Sequence, residues 1–404
     1  MHISTSLMYR QVTQTLLDGE ASMGRLVEQM STGRRILTPA DDPLGASLSV
    51  NVAQAMAMNA TYANNRATAE QRLTQQESTL GSITLTMQDV LTRLTEAANG
   101  AYSDTDRATL ADVLRKSRDA LVGLANTADG NGQYIFSGYD GDKAPYGAEG
   151  DYLIDAGRNN VPGVQIDANR TLPIGEVGSN IFARANPGSG GHIISSSTTV
   201  DSTAEFGAVR LGSSGTNQPS TQVRFVDVNG TLSYEVTTLA NPPVAPVTRP
   251  YVAGEALALG NGTTLAVKGE PKIGDAVNVM RTQEAGVDIF KALNEVITAL
   301  ETPIENDPVA AAKLSNAMAT ASQTLHNGYN NILTVRAATG SGLQEIESLE
   351  AVGVDRQLAY SKQLSGIEDA NVVTLMSELV QRQTALQAAG MAFQAIQSIN
   401  LFNK

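Results

Sequence analysis

The sequence predicts an α+β multidomain protein: long paired N- and C-terminal helices, coiled-coil-like, form a rod, and a β-rich outer domain is inserted between them. Three observations predict it. At the N-terminus Tyr9, Leu16, Met23 and Met30 fall seven residues apart, with Val12 and Leu26 three further on. At the C-terminus Val372, Leu379, Leu386 and Phe393 repeat the spacing, with Leu375, Ala389 and Ile396 filling in. Between them, ten of the fourteen prolines lie within 141–280, among dense Gly, Ser, Thr and Asn. A heptad is close enough to the helical period to give one narrow apolar seam, and a helix cannot bury such a seam alone. An insert that leaves and returns to a helical rod brings the first and last helices side by side, which suits a chain built to polymerise.

The first helix is expected from about Ser4 to Leu37, about 50 Å at 1.5 Å per residue. Thr38-Pro39-Ala40-Asp41-Asp42-Pro43 stops it. Pro39 disfavours helix before it, and Asp42-Pro43 reads as an N-cap followed by Pro at the first helical position. Asp41 and Asp42 read as a turn with a capping carboxylate rather than a metal or acid/base pair. The second helix runs from about Leu44 to Asn99 and keeps the beat at Leu73, Leu80, Met87 and Leu94, with Gly100 suited to its end. The third spans roughly Asp106 to Ala128, and Asp129-Gly130-Asn131-Gly132 breaks the pattern.

The texture then changes. Thr221 to Val228 and Thr231 to Val236 flank Asn229-Gly230, the strongest short hairpin signature. Ala256 to Val267 around Asn261-Gly262 reads as a second hairpin. Ser189-Gly190-Gly191 lacks the strand–helix frame and Lys of a phosphate cradle and reads as a loop. Helical pattern resumes near Gly286 and runs to about Glu301. Asp307-Pro308 starts the return helix, which continues into the terminal seam past soft points at Gly328, Gly340, Gly342, Gly353 and Gly366. The boundaries that follow are 1–43 with 357–404 for a terminal polymerisation domain, 44–140 with 281–356 for a rod, and 141–280 for the outer domain.

Composition narrows the chemistry. The 404 residues contain no Cys and no Trp, so no disulfide or thiolate metal site exists. The three His, at 2, 192 and 326, are scattered. A net charge of −13 argues against a nucleic-acid carrier. The ends are near neutral: Arg10, Arg25, Arg34 and Arg35 face Asp18, Glu20 and Glu28, so the middle carries the acidity. No apolar run approaches the roughly 18 residues that span a membrane. The first thirty residues show neither a basic n-region nor an apolar h-region, so no cleavable signal is visible and the sequence by itself reads as cytoplasmic. No Ser/His/Asp arrangement, Cys nucleophile or paired His can be placed. The carboxylates at 140–142 and 151–155 lie in Gly-rich, turn-like surroundings with too few ligands for a Ca²⁺ loop. The expectation is therefore no enzyme, no cofactor and no metal site.

The segment Gln29-Met30-Ser31-Thr32-Gly33-Arg34-Arg35-Ile36-Leu37-Thr38-Pro39-Ala40-Asp41-Asp42-Pro43-Leu44-Gly45-Ala46 resembles the flagellin family. Further matches are Ile3 to Tyr9, Gly132-Gln133-Tyr134-Ile135-Phe136-Ser137-Gly138, Leu364 to Ala370, and the tail Gln397 to Phe402. Together they cover roughly 1–140 and 280–404. Where flagellins proper usually read Ser-Ala-Lys-Asp-Asp-Ala-Ala-Gly, this chain has Thr38 to Gly45, which favours the hook–filament junction members over the filament subunit. Asn371 departs from the Asp that those members often carry. The resemblance implies terminal helices innermost, a rod outside them and a β domain outermost. It implies export unfolded through the flagellar type III channel, without a cleavable signal peptide, to an extracellular flagellum, which overturns the cytoplasmic reading.

The function so implied is a structural adaptor joining hook to filament; the rival within the family is flagellin itself. Implied partners are copies of the chain in a ring, hook-associated protein 1, flagellin, the filament cap, and a cytoplasmic export chaperone before secretion. The assembly interface is expected at Tyr9, Leu16, Met23, Met30, Val372, Leu379, Leu386 and Phe393. A rival from another class is a surface-binding module in 141–280, with Tyr146, Tyr152 and Tyr251 as its exposed footing.

Overall fold

The computed structural model describes residues 5–98, 102–155, 157–185, 191–212, 218–239 and 245–401, and leaves the side chains of 5, 6, 8, 9 and 396–401 undescribed. Seven helices and ten strands are found among them. They are α1 Thr5–Thr32, α2 Pro43–Ala97, α3 Asp104–Ala125, β1 Gly163–Asp167, β2 Arg170–Pro173, α4 Gly178–Phe182, β3 His192–Thr198, β4 Glu205–Arg210, β5 Thr221–Val228, β6 Thr231–Thr238, β7 Val247–Pro250, β8 Leu257–Gly260, β9 Thr263–Lys268, β10 Ala276–Arg281, α5 Ile289–Glu301, α6 Pro308–Glu368 and α7 Val372–Leu401. The chain forms two compact units, 1–65 with 348–404 and 66–347. Both α2 and α6 contribute to each.

The expected helix starts are present. Asp42 Oδ1 accepts from Gly45 N at 2.8 Å ahead of α2, and Asp307 Oδ1 accepts from Val309 N and Ala310 N ahead of α6, each with Pro at the first helical position. Ser103 and Asp106 form a reciprocal capping box on α3, and Asp288 caps α5. Two ends differ from expectation. α1 stops at Thr32, five residues before Leu37, because Gly33 takes the left-handed conformation (φ 70°) that closes a helix. α6 passes unbroken through all five expected soft points and ends at Glu368, so the terminal seam belongs to a separate helix; Asn371 Oδ1 caps it by accepting from Val373 N and Thr374 N. The expected Gly100 end of α2 lies outside the described residues, as do Ser189 and Gly190.

In the unit of residues 66–347, one core packs α2, α3, α5 and α6 through Leu80, Ile83, Met87, Leu114, Leu121, Phe290, Leu293, Val296, Leu325 and Ile332. The segment after α3 forms turns on this core, and regular strands begin only at Gly163. Tyr146 is 4% exposed there, packed 4.9 Å from Phe290 and 5.5 Å from Phe182, ring centre to ring centre. A second core lies between two antiparallel sheets, ordered β3-β10-β5-β6-β7 and β4-β9-β8. Alternate residues fill it: Val223 and Phe225 of β5, Val277 and Val279 of β10, Leu265 and Val267 of β9. Both Asn-Gly hairpins are present, and Asn229 (φ 54°) with Gly230 (φ 81°) shows the doubly left-handed turn that the pair was chosen for.

Side chains join sheet and helix where backbone ladders stop. Asn316 of α6 accepts from Phe206 N at 2.7 Å and donates to Ala204 O at 2.8 Å, and Gln323 Oε1 accepts from Ile194 N. At β8, which among the described residues pairs with β9 on one side only, Ala258 N donates to Tyr234 Oη at 3.0 Å. Ala258 O accepts from Arg249 Nη1 at 2.9 Å, and Leu259 O from Gln218 Nε2. These three side chains occupy the edge on which another strand could add.

Candidate assembly interface

The unit of residues 1–65 with 348–404 is built on α1 and α7, which pair in antiparallel fashion: Ala370 N donates to Gly33 O at one end, and Gly19 lies against Leu386 further along. The approach at Gly19 is close, since a Cβ built there would stand 3.0 Å from Leu386 Cδ2. Leu26 and Leu375 are each 8% exposed, and Leu16, Met23, Met30, Leu379, Leu386 and Phe393 are half-buried on the same pair. Tyr9 lies on α1, but its side chain is outside those described. Val372, the first residue of α7, is 53% exposed, while Leu375, three residues on, is buried.

A second apolar stripe lies beside the heptad seam on α7. Val373, Met376, Val380 and Met391 are 80, 52, 57 and 66% exposed. At about 100° per residue they cluster on one side of α7, roughly 120° round from the seam. Leu17 and Val27 of α1 are also more than half exposed. The 373/376/380 spacing is itself a signal, masked in sequence by the stronger seven-residue beat beside it. Helix α7 is thus apolar on two faces, with one spent on α1 and the other facing out. In the same unit α2 and α6 pair through Asn59, whose Nδ2 donates to Gly353 O at 2.9 Å, and expose Leu44, Val50, Val354 and Leu358.

The linker between α1 and α2 is held by charge and by backbone. Arg34 and Asp369 form an isolated antiparallel bridge, Arg35 N donates to Glu368 O at 2.6 Å, and Arg34 lies 3.5 Å from the Glu368 carboxylate. The Arg35 guanidinium spans Asp42 Oδ2 at 3.1 Å and Ile367 O at 2.7 Å. Asp41 accepts from Thr38 N, the Thr38 hydroxyl and Leu37 N, and the Thr38 amide chiefly holds its carboxyl below the ordinary range. The Gly45 amide, then Arg35, do the same for Asp42. Both aspartates are committed to the turn and the cap.

The other candidates are absorbed locally. His326 is an exposed α6 residue whose Nδ1 donates to Ser322 O. Asp140 is ion-paired to Arg158. Tyr146 is buried, Tyr152 is half-buried against it, and Tyr251 packs edge-on to Phe225, so these rings do not form the exposed footing a surface-binding module would need. Among the described residues no group of acidic or His side chains could hold a metal, and no helix is long and apolar enough to cross a membrane.

A family model of the bacterial flagellin N-terminal helical region matches residues 3–140. The flagellar hook-associated protein 3 of Escherichia coli strain K12 is 31% identical over 403 residues, covering 100% of this chain and 99% of its own. The chain belongs to the flagellar hook-associated protein 3 family. Solved structures agree with that membership. Xanthomonas campestris FlgL, in space group H3, is 25% identical with a TM-score of 0.61, over 76% of this chain and 99% of that one. The hook-associated protein 3 of Legionella pneumophila, 21% identical, shares the fold with a TM-score of 0.65 over 80% of this chain and 98% of that one. The matched region of the family model includes α1, the linker and α2.

Proposed function

We propose that this chain is the structural adaptor that joins the bacterial flagellar hook to the filament, assembling through its terminal helices. The single observation carrying the mechanism is that α7 spends one apolar face on α1 and turns a second outward. Large apolar side chains at that density on an exposed helix are costly in water and mark a surface that a partner covers. In this reading Leu16, Met23, Met30, Leu379, Leu386 and Phe393, with Tyr9, hold the pair together. Val372, Val373, Met376, Val380 and Met391 meet neighbouring subunits: copies of this chain in a ring, hook-associated protein 1 below, flagellin and the filament cap above. A cytoplasmic chaperone covers the same faces before export through the flagellar channel to the cell exterior. No catalytic step is part of this role.

Relatives matching over their full length are hook-associated protein 3, which favours the junction over the filament subunit. Deleting the gene tests it. The expected cells carry hooks without attached filaments and release flagellin into the medium. Normal filaments on the deletion strain would overturn the reading.

A further inference from the structure

The segment Gln133–Gly138 passes over α2 and leaves beneath it a small polar cavity of about 40 Å³, lined in part by Gln76, Gln133, Ile135, Val161 and Gly175. Gln76 is 2% exposed. Its Nε2 lies 3.0 Å from Thr339 Oγ1 on α6, and the Thr339 hydroxyl already donates its one proton to Val335 O at 3.0 Å. Thr339 therefore accepts from Gln76, which fixes the amide with its NH₂ toward Thr339 and its oxygen turned away. That oxygen, Oε1, receives no hydrogen bond from the protein. An amide oxygen at this depth needs a donor.

Gly175 keeps the space beside it open. A Cβ built on Gly175 would stand 3.2 Å from Gln76 Oε1 and 3.8 Å from Ile135 O, and its backbone is not left-handed, so room rather than conformation explains a glycine there. Both oxygens thus border the same space beside Gly175. A buried water needs about 10–15 Å³ by this measure and at least two polar partners. The cavity supplies both.

We propose that this cavity is a binding site for an ordered internal water, which donates one proton to Gln76 Oε1 and the other to Ile135 O. The water ties the Gln133–Gly138 segment to α2, and through Gln76 and Thr339 to α6. The segment's seat is then a hydrated contact rather than a dry one.

A crystal structure of the full chain, at a resolution that orders solvent, tests it. The expected result is a fully occupied water within hydrogen-bonding distance of both oxygens, and a dry cavity would overturn the proposal. Gly175→Ala should expel the water and lower the thermal midpoint while leaving the helical circular dichroism unchanged. Gln76→Leu removes the acceptor without crowding the cavity and should also lose the water. Its persistence in the leucine variant would assign it to other groups and overturn the bridge.

Discussion

Leu386 stands where two demands meet, since it packs on Gly19 within the chain and lies on the helix that is proposed to meet neighbours. Leu386→Asp should abolish incorporation at the hook tip, scored in isolated hooks, while limited proteolysis still yields the folded unit of residues 66–347. The linker aspartates make a second residue-scale prediction. Their folded values lie below the ordinary 3.8, so ionisation stabilises the turn above that range, and the stabilisation is lost as pH falls through the depressed values. The protection factors of the non-proline amides within 37–45, taken against the intrinsic exchange rate at each pH, should be unchanged between neutrality and about pH 5 and should fall only below about pH 4. Loosening already at pH 6 would contradict the assignment. The seam itself was legible because seven-residue spacing survives any detail of packing. The place of Val372 was not: α7 begins at that residue, and the buried register starts one turn later, at Leu375.

Helix α6 is held by packing rather than by propensity, which is why glycines that looked like soft points do not interrupt it. Gly340 has open space around the position of a Cβ. Gly340→Ala should raise stability by about 0.5–1 kcal/mol, read as a shift in the denaturant midpoint. The β8 edge makes a contrasting prediction. Tyr234→Phe combined with Arg249→Ala uncaps both backbone groups of Ala258, and the double variant should associate at concentrations where the parent stays monomeric in sedimentation. Hairpins and Asp-Pro starts were readable because each depends on two or three adjacent residues. The side-chain closure of β8 joins residues from 218 to 259 and leaves no local trace. The break after Glu368 was missed because its cap is a single Asn.

At the scale of the whole molecule, the helical core and the core between the sheets stabilise the unit of residues 66–347, whereas α1 and α7 pair along a narrow seam in which Leu26 and Leu375 are the buried side chains among the described residues. Helices with so little burial are marginal until partners cover them. Limited proteolysis of the purified monomer should trim α1 and α7 and leave a stable fragment that retains both the helical core and the sheets. Strong hydrogen-exchange protection of α1 and α7 in the isolated chain would instead show a pre-folded pair. The division into helical ends and a β-rich middle could be read from the distribution of proline and heptads. The packing of the segment after α3 on the helices could not, because it depends on Tyr146 meeting Phe182 and Phe290, both of which lie far downstream in the chain.

His192 and Arg281 face each other on β3 and β10, and Thr282 N donates to Gly191 O at 3.0 Å just beyond them. The polypeptide therefore enters and leaves the two-sheet region through adjacent doorways. The strands between those residues are expected to behave as a cassette: a foreign fold whose own ends sit one strand spacing apart, with an apolar side chain kept at Ile193 to meet Ala185 and Val287, should graft there without shifting the register of α2 against α6. Bare replacement by a short turn would return Asn316 and Gln323 to solvent, where water meets their needs. In the assembly proposed above, such a port is where displayed cargo can be carried away from the terminal helices.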